Sequence, residues 1–433
     1  MKNKALAAVS PEVGKRILQT LLIKKDFLSA LEIMHQAAGD IFQIPLPGFN
    51  PFVLVGPEAN RLVLATERQA FLWRNERDPV TRLLRHGLLV EDGETHDSLR
   101  RLMSQALHKR VLANYVEIVQ RRTDQVIATW GDHNTLDMLV EMRKIALLIL
   151  MESLFGVDFS PELPRLWSSI LKSIEYISPG LWILLPDMPR PGYRKAIQRI
   201  DSYLFKIITE RRQSDSKRDD LLGVLTASQE LSDDLVRDQL LTMLIAGHDT
   251  STALLSWALY LLGKNPEAQD RLVAEVGEQV KDEMPAIAHL ERMAYLDRVV
   301  QETARMYPPI HVGNRIAARD LEFNGVPIPA GSRVMYSIYL SHRQPKYWQC
   351  PDQFDPDRFA GGSRSIYPYS YVPFGGGPRN CIGMAFAQVE VKIVLARLLQ
   401  KYHFKLIPHE VHAHMGATLE PRPGVWMHVV NQS

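Results

Sequence analysis

The chain has 433 residues, 46% of them hydrophobic, and a formal charge of +2 at pH 7. That supplies ample material for a large core and argues against a nucleic-acid partner, which needs a strongly basic surface; the length ordinarily suggests two or three domains but is compatible with one large globule, 1–433. Two cysteines, Cys350 and Cys381, exclude a disulfide scaffold and suit a reducing compartment.

Near the amino end the longest apolar stretch, Ile17 to Ile23, is broken by Gln19 and Thr20 and followed by Lys24 and Lys25. It is far short of the ~20 residues a membrane span needs. From Asp40 to Leu64, IFQIPL and FVLVG flank the turn-forming PGFNP, which predicts a first patch of sheet over about 40–64. ETHDSLRRL then puts His96 and Arg100 one helical turn apart, and Arg101, Lys109 and Arg110 continue a basic helix face. By themselves such charges are solvated surface, or a docking face for an acidic protein. The polar run Arg211 to Asp220 reads as an exposed loop.

A long helix is predicted from Ser232, a good N-cap, to Gly263, with Pro266 beyond it. Between Asp238 and Lys264 its only charged residue is Asp249, and apolar residues point all round the axis, so the helix is buried on every side. Into its middle the chain sets Ala246-Gly247-His248-Asp249-Thr250. A helical Gly costs about 1 kcal/mol, and a buried carboxylate needs partners or a shifted pKa. Such local violations collect at functional sites; the plain alternative is a kink with Thr250 bonded back to the Ala246 carbonyl.

QETARMYPPI is a helix stopped by Pro308 and Pro309, with Glu302 and Arg305 at i and i+3 on one face. A second patch of sheet follows over 316–339, with an Asn324-Gly325 hairpin signal. Then comes FDPDRF, which contains Arg358. The loop FGGGPRNCIG, Phe374 to Gly383, places Cys381 between a glycine-rich turn and an apolar helix of roughly Met384 to Tyr402. A cysteine at a helix N-terminus faces unpaired N–H groups and the positive end of the dipole, which favour thiolate and soft-metal binding; the plain alternative is a buried core thiol. His412 and His414 alone make no metal site.

Phe374, Gly377, Arg379, Cys381 and Gly383 occupy every fixed position of the haem-binding loop of the cytochrome P-450 family, and the chain resembles that family from about His96 onward. The resemblance implies a mainly α globule with small edge sheets and a haem b whose iron is held by the Cys381 thiolate. It implies that Phe374 packs beside the sulfur, that His96, Arg100, Arg315 and Arg379 meet haem propionates, and that Ala246 and Gly247 make room for dioxygen beside the helix. Asp249 and Thr250 become the proton-delivery pair, and Glu302, Arg305 and Arg358 a buried structural triad. The pocket would draw on 83–90, 174–185, 244–247, 310–313 and 417–418, with LWILL at 181–185 as an apolar lid.

The function so implied is a monooxygenase that hydroxylates or epoxidises a hydrophobic small molecule such as a fatty acid, terpenoid, steroid or polyketide. No flavin or nicotinamide fingerprint appears, so electrons would come from a separate ferredoxin or flavodoxin with its reductase. The enzyme is expected to be a cytoplasmic monomer. A peroxide-driven peroxygenase or a haem-thiolate isomerase is the alternative, and a non-catalytic haem sensor or electron carrier a more distant one; the Asp249-Thr250 pair argues against both.

Overall fold

The computed structural model describes residues 6, 10–23, 26–44, 46, 48–131, 135–183, 185, 187–214, 218–362 and 366–432. Helices dominate them: α1 (Pro11–Leu22), α2 (Phe27–Ala38), α3 (Pro57–Arg61), α4 (Pro79–Leu84), α5 (Gly93–Met103), α6 (Lys109–Ile127), α7 (Met138–Phe155), α8 (Leu163–Ile177), α9 (Pro191–Gln213), α10 (Leu221–Ala227), α11 (Asp233–Lys264), α12 (Pro266–Val280), α13 (Ile287–Leu290), α14 (Ala294–Met306), α15 (Ile338–Ser341) and α16 (Met384–Lys401). The strands are short: β1 (Ile41–Gln43), β2 (Phe52–Val55), β3 (Phe71–Leu72), β4 (Thr135–Asp137), β5 (Val312–Ala317), β6 (Leu321–Phe323), β7 (Val326–Ile328), β8 (Arg333–Ser337), β9 (Tyr402–Leu406), β10 (His412–Met415), β11 (Leu419–Arg422) and β12 (Trp426–Asn431). Among the described residues no helix is long and apolar enough to cross a membrane.

One five-stranded sheet has the order β1-β2-β8-β5-β3. Its middle pair, β2 and β8, is parallel, with Val53 opposite Met335; β5 runs antiparallel to β8, with Arg315 opposite Val334. Three smaller sheets are β4-β12-β9, β10-β11 and β6-β7. The β6-β7 turn uses positive φ at both Asn324 and Gly325, 53° and 82°, the geometry a tight two-residue hairpin demands.

The long helix forms for the reasons its sequence contains. Ser232 caps it by accepting from Leu235 N at 3.2 Å, and its middle and far turns are buried on all sides in an apolar cluster that reaches from Leu83 to Val429. α7 lies against it, capped by Asp137 and stopped by a left-handed Gly156.

Several boundaries differ from expectation. The first sheet patch ends at Val55: residues 57–66 are helical, because Gly56-Pro57 opens a new helix in place of an extended run. The second patch begins four residues earlier, at Val312. The central helix ends at Lys264, where Pro266 starts α12; Gly263 stays helical, and a Cβ there would stand 2.6 Å from Met427 Cε. α5 stops at Met103, so Lys109 and Arg110 open α6 and do not prolong the face of Arg101; their side chains, like Leu181 and Leu184 of the expected lid, lie outside the described residues. Arg211 belongs to α9 and its guanidinium is tucked against Asp220 at 2.7 Å and the Phe155 carbonyl at 2.9 Å, so the exposed loop is shorter than the charge run suggested. The strands β9 to β12, unmarked in the sequence reading, pack the carboxyl end onto α11.

Candidate active site

Cys381 stands three residues before α16 on a loop that turns on Gly375 (φ 70°) and Gly377 (φ 63°). Its N–H donates to the Phe374 carbonyl at 2.9 Å and closes the loop on itself. At Gly377 a Cβ would lie 2.2 Å from the Leu64 carbonyl oxygen, so the loop rests on the backbone of the turn after α3 and only glycine fits.

The Cys381 thiol is free, and the residue is exposed over one face while protein surrounds the rest. Burial pushes the thiol up from its ordinary value; the Gly383 N–H and the Arg100 guanidinium pull the other way and do not prevail. Burial therefore opposes the pull of the helix terminus toward thiolate that the sequence suggests. A metal cation bound at the sulfur would displace the proton.

Arg100 does not stand free. It donates to the Asn380 carbonyl at 2.9 Å and to Asn380 Oδ1 at 2.7 Å, gripping the residue beside the cysteine. His96, one turn earlier, is buried and shares a 2.9 Å hydrogen bond with Asp97; burial lowers its pKa.

Next to the loop is a cavity of about 310 Å³ bounded by Leu64, Trp73, Asp92, Arg315, Gly376 and Arg379. Arg379 is compensated there, donating to Asp92 Oδ1 at 2.9 Å and to the Glu91 carbonyl at 2.7 Å. Arg315 is not. It is 4% exposed, and its hydrogen bonds run to neutral partners, the Asn314 carbonyl at 2.7 Å and the Tyr336 hydroxyl at 3.4 Å. Among the described residues it has no ion pair, and burial lowers its pKa. A buried cation without a counter-ion is a place for an anion.

On α11, Thr250 Oγ1 donates to the Ala246 carbonyl at 2.7 Å, which leaves its lone pairs as acceptors. Asp249, 2% exposed, accepts at Oδ1 from Arg143 Nη2 at 3.2 Å and at Oδ2 from Thr418 Oγ1 at 2.8 Å. Arg143 also donates to Glu420 at 2.6 Å, and Arg422 Nε reaches Glu420 at 2.9 Å. With Arg422 45% exposed, this chain of charges leads from the helix to the surface. His248 turns inward, its Nδ1 2.9 Å from the Leu244 carbonyl. At Gly247 the space a Cβ would need is held by Leu150 Cδ1, 2.4 Å away. The glycine therefore lets Leu150 of α7 pack against α11.

Glu302, Arg305 and Arg358 do assemble. Glu302 and Arg305 are 0% exposed, with Arg305 Nε 2.7 Å from Oε2, Arg305 Nη2 2.8 Å from Oε1 and Arg358 Nε 2.9 Å from Oε1. The Asp355 N–H adds a fourth bond at 3.1 Å, and Arg305 Nη1 donates to the His342 carbonyl at 3.0 Å. One helix is thus tied to the segment that leads to the cysteine loop, with every carboxylate oxygen occupied.

Residues 11–424 match the family model described as Cytochrome P450. The chain belongs to the cytochrome P450 family. It is 32% identical over 405 residues to a "Putative cytochrome P450 120" of Synechocystis, spanning 90% of this chain and 88% of that one. It is 30% identical over 402 residues to the "Cyclooctatin synthase" of Streptomyces melanosporofaciens, 89% of this chain and 86% of the other. A solved structure described as "Retinoic acid bound cyanobacterial CYP120A1" superposes with a TM-score of 0.86 at 28% identity, covering 96% of each chain.

Members of this family are haem-thiolate monooxygenases with haem b, they act on hydrophobic substrates, and the chain is a cytochrome P450 monooxygenase on that ground. Its residues fit the cofactor: a free soft sulfur on a loop that only glycine can form, and an uncompensated buried guanidinium beside it for a carboxylate. Of the segments expected to line the pocket, Leu83, Leu88, Ile174, Leu244, Ile245 and Ala417 share one apolar cluster, while Ile310 is 41% exposed. Arg143, Glu420 and Glu390 went unnoticed in the sequence, and Thr418 was expected only as a pocket residue and not as a partner of Asp249. Arg143 and Glu390 each had a signal, a charge inside an apolar helix that must find a partner; Glu420 had none.

Proposed function

We propose that this P450 inserts one oxygen atom into a C–H or C=C bond of an isoprenoid-sized hydrophobic molecule, with two electrons from a separate ferredoxin or flavodoxin and its reductase. The observation that carries the reading is the free Cys381 thiol beside a cavity that holds an uncompensated Arg315. The single domain 1–433 acts as a monomer in the cytoplasm. Haem b, when bound, supplies dioxygen activation and one-electron chemistry.

Cys381 would hold the iron, in a loop shaped by Phe374, Gly377 and Gly383; Arg315 and Arg379 would take the propionates, with His96 and Arg100 bracing the loop from α5. Ala246 and Gly247 would make room for dioxygen beside α11, and Gly247 also lets Leu150 of α7 pack against that helix. Asp249 is held in the core by Arg143 and Thr418, each of which satisfies one of its oxygens. Protons reach it along the polar seam of Glu420 and Arg422, pass to Thr250 Oγ1, and leave from that hydroxyl toward the pocket when its bond to the Ala246 carbonyl opens. The apolar cluster around these groups excludes other water.

For the substrate, the solved neighbour's retinoic acid, a long apolar chain, agrees in character with the apolar residues gathered here. A panel of isoprenoids, fatty acids, steroids and polyketides, titrated against the holoenzyme, should give a spectral shift strongest for an isoprenoid, with product formed on adding reduced ferredoxin. Product from hydrogen peroxide but none from a reduced donor would overturn the reading in favour of a peroxygenase.

A further inference from the structure

We infer that Trp73 is a positioning residue for the anionic edge of the cofactor, its indole face holding Arg315 where a haem carboxylate meets it. The inference rests on the haem-site reading above and adds a residue that no motif marked. Arg315 Cζ stands 3.5 Å from the Trp73 ring centroid, within stacking distance, and Arg379 Cζ is 5.7 Å from the same ring. Tyr336 gives Arg315 a second aromatic neighbour at 5.3 Å. Trp73, Arg315 and Arg379 all line the same cavity.

Two guanidiniums drawn to one cavity repel each other, and an aromatic face offsets part of that cost without supplying a negative charge. A carboxylate in Trp73's place would neutralise Arg315 and remove its use as an anion receptor. Stacking also engages only the flat face of a guanidinium and leaves its donors free in the plane; Arg315 directs one to Asn314 and one to Tyr336, with others to spare.

The platform is itself anchored. The Trp73 backbone N–H donates to both oxygens of Asp92, at 3.2 and 3.0 Å, and the same carboxylate takes the Arg74 backbone N–H at 3.0 Å and Arg379 Nη2 at 2.9 Å. Asp92 therefore sets the indole and the second guanidinium in one frame, and gives its hydrogen bond to Arg379 and not to Arg315, on which it acts only through space. The indole Nε1 is enclosed and has no hydrogen-bond partner, so the face, and not the N–H, is the working part.

The test is haem release from holoenzyme to excess apomyoglobin, read by absorbance, for Trp73→Phe, Trp73→Leu, Arg315→Met and the Trp73→Leu/Arg315→Met double variant, with circular dichroism to check folding. Trp73→Leu should release haem roughly tenfold faster, the size of one partly desolvated cation–π contact. Trp73→Phe, which keeps a ring and lacks the N–H, should stay close to the parent rate. The double variant should be no faster than Arg315→Met alone, since the ring acts through that arginine. Trp73→Met replaces Trp73→Leu should the latter not fold. Trp73→Phe releasing as fast as Trp73→Leu, or additive rates in the double variant, would overturn the inference while leaving the haem site intact. A parent chain that takes up no haem would overturn both.

Discussion

Ser251 donates a 2.6 Å hydrogen bond to Glu390, both residues fully enclosed, and so joins the helix of the proton notch to the helix that follows the cysteine loop. Burial raises the Glu390 carboxyl to about 8, against a smaller opposing effect of Ser251. At neutral pH it is mostly a neutral acid, which is how a carboxyl can sit unpaired in this core. A folded value raised above the unfolded one means stability present below about 4.5 and lost as pH rises through about 8. Thermal unfolding of the parent should therefore fall relative to Glu390→Gln between those limits and level off above them; parallel curves for the two proteins would place the proton elsewhere.

Replacing Cys381 with Ala should abolish the red-shifted band of the reduced carbon monoxide complex, because the other cysteine, Cys350, lies outside the glycine loop and the described residues hold no cluster of three or more metal-binding groups. Persistence of that band would identify another ligand.

Thr250→Ala removes the hydroxyl that now bonds the Ala246 carbonyl, and leaves the helix backbone and the haem contacts in place. Haem content should match the parent while product per NADPH drops severalfold and hydrogen peroxide rises. Unchanged coupling would take Thr250 out of the proton route.

Arg143→Met should strand two buried carboxylates, Asp249 and Glu420, at a cost on the order of 3–5 kcal/mol in stability. Burial raises the Glu420 pKa, but Arg143 and Arg422 outweigh it and hold the group below its usual range. A depressed folded value gives stability that is present above the unfolded pKa of about 4.5 and lost as pH falls. The parent should thus lose stability on acidification more steeply than Arg143→Met does, with Arg143→Lys between them in unfolding melts.

Glu302→Ala leaves Arg305 buried and unpaired and frees Arg358, a loss of the same order, ~3–5 kcal/mol, at the joint between α14 and the segment before the cysteine loop. Expression with ample haem should yield apoprotein or aggregate. A holoenzyme with a parental melting temperature would show that the triad is dispensable.

Much of this site was legible because its residues are local in the chain. The cysteine loop is ten consecutive residues, two of whose glycines, Gly375 and Gly377, take positive φ, and the Glu302-Arg305 pair is three residues apart on one helix, so spacing alone places these groups. The Ser232 cap and the all-round apolar run likewise defined the central helix to within a residue or so of its ends. The carboxyl-terminal strands were harder. They are short, their pairing partners are distant, as with Trp426 and Asp137, and a strand of four residues has too little periodicity to announce itself.

The sequence by itself determined the kind of chemistry: a lone cysteine in a glycine turn, an acid and an alcohol side by side in an apolar helix, and the helical framework that carries them. These follow from backbone sterics and from spacing along one helix, which the chain specifies locally. Only the tertiary structure decided the electrostatics. That Asp249 is held by Arg143 and Thr418, that Arg315 lacks an ion-pair partner and stacks on Trp73, that Glu390 is a neutral acid and that burial pushes the Cys381 thiol up all depend on groups up to hundreds of residues apart. Burial and charge pairing arise from what folding brings within a few ångströms, and no local pattern records that distance.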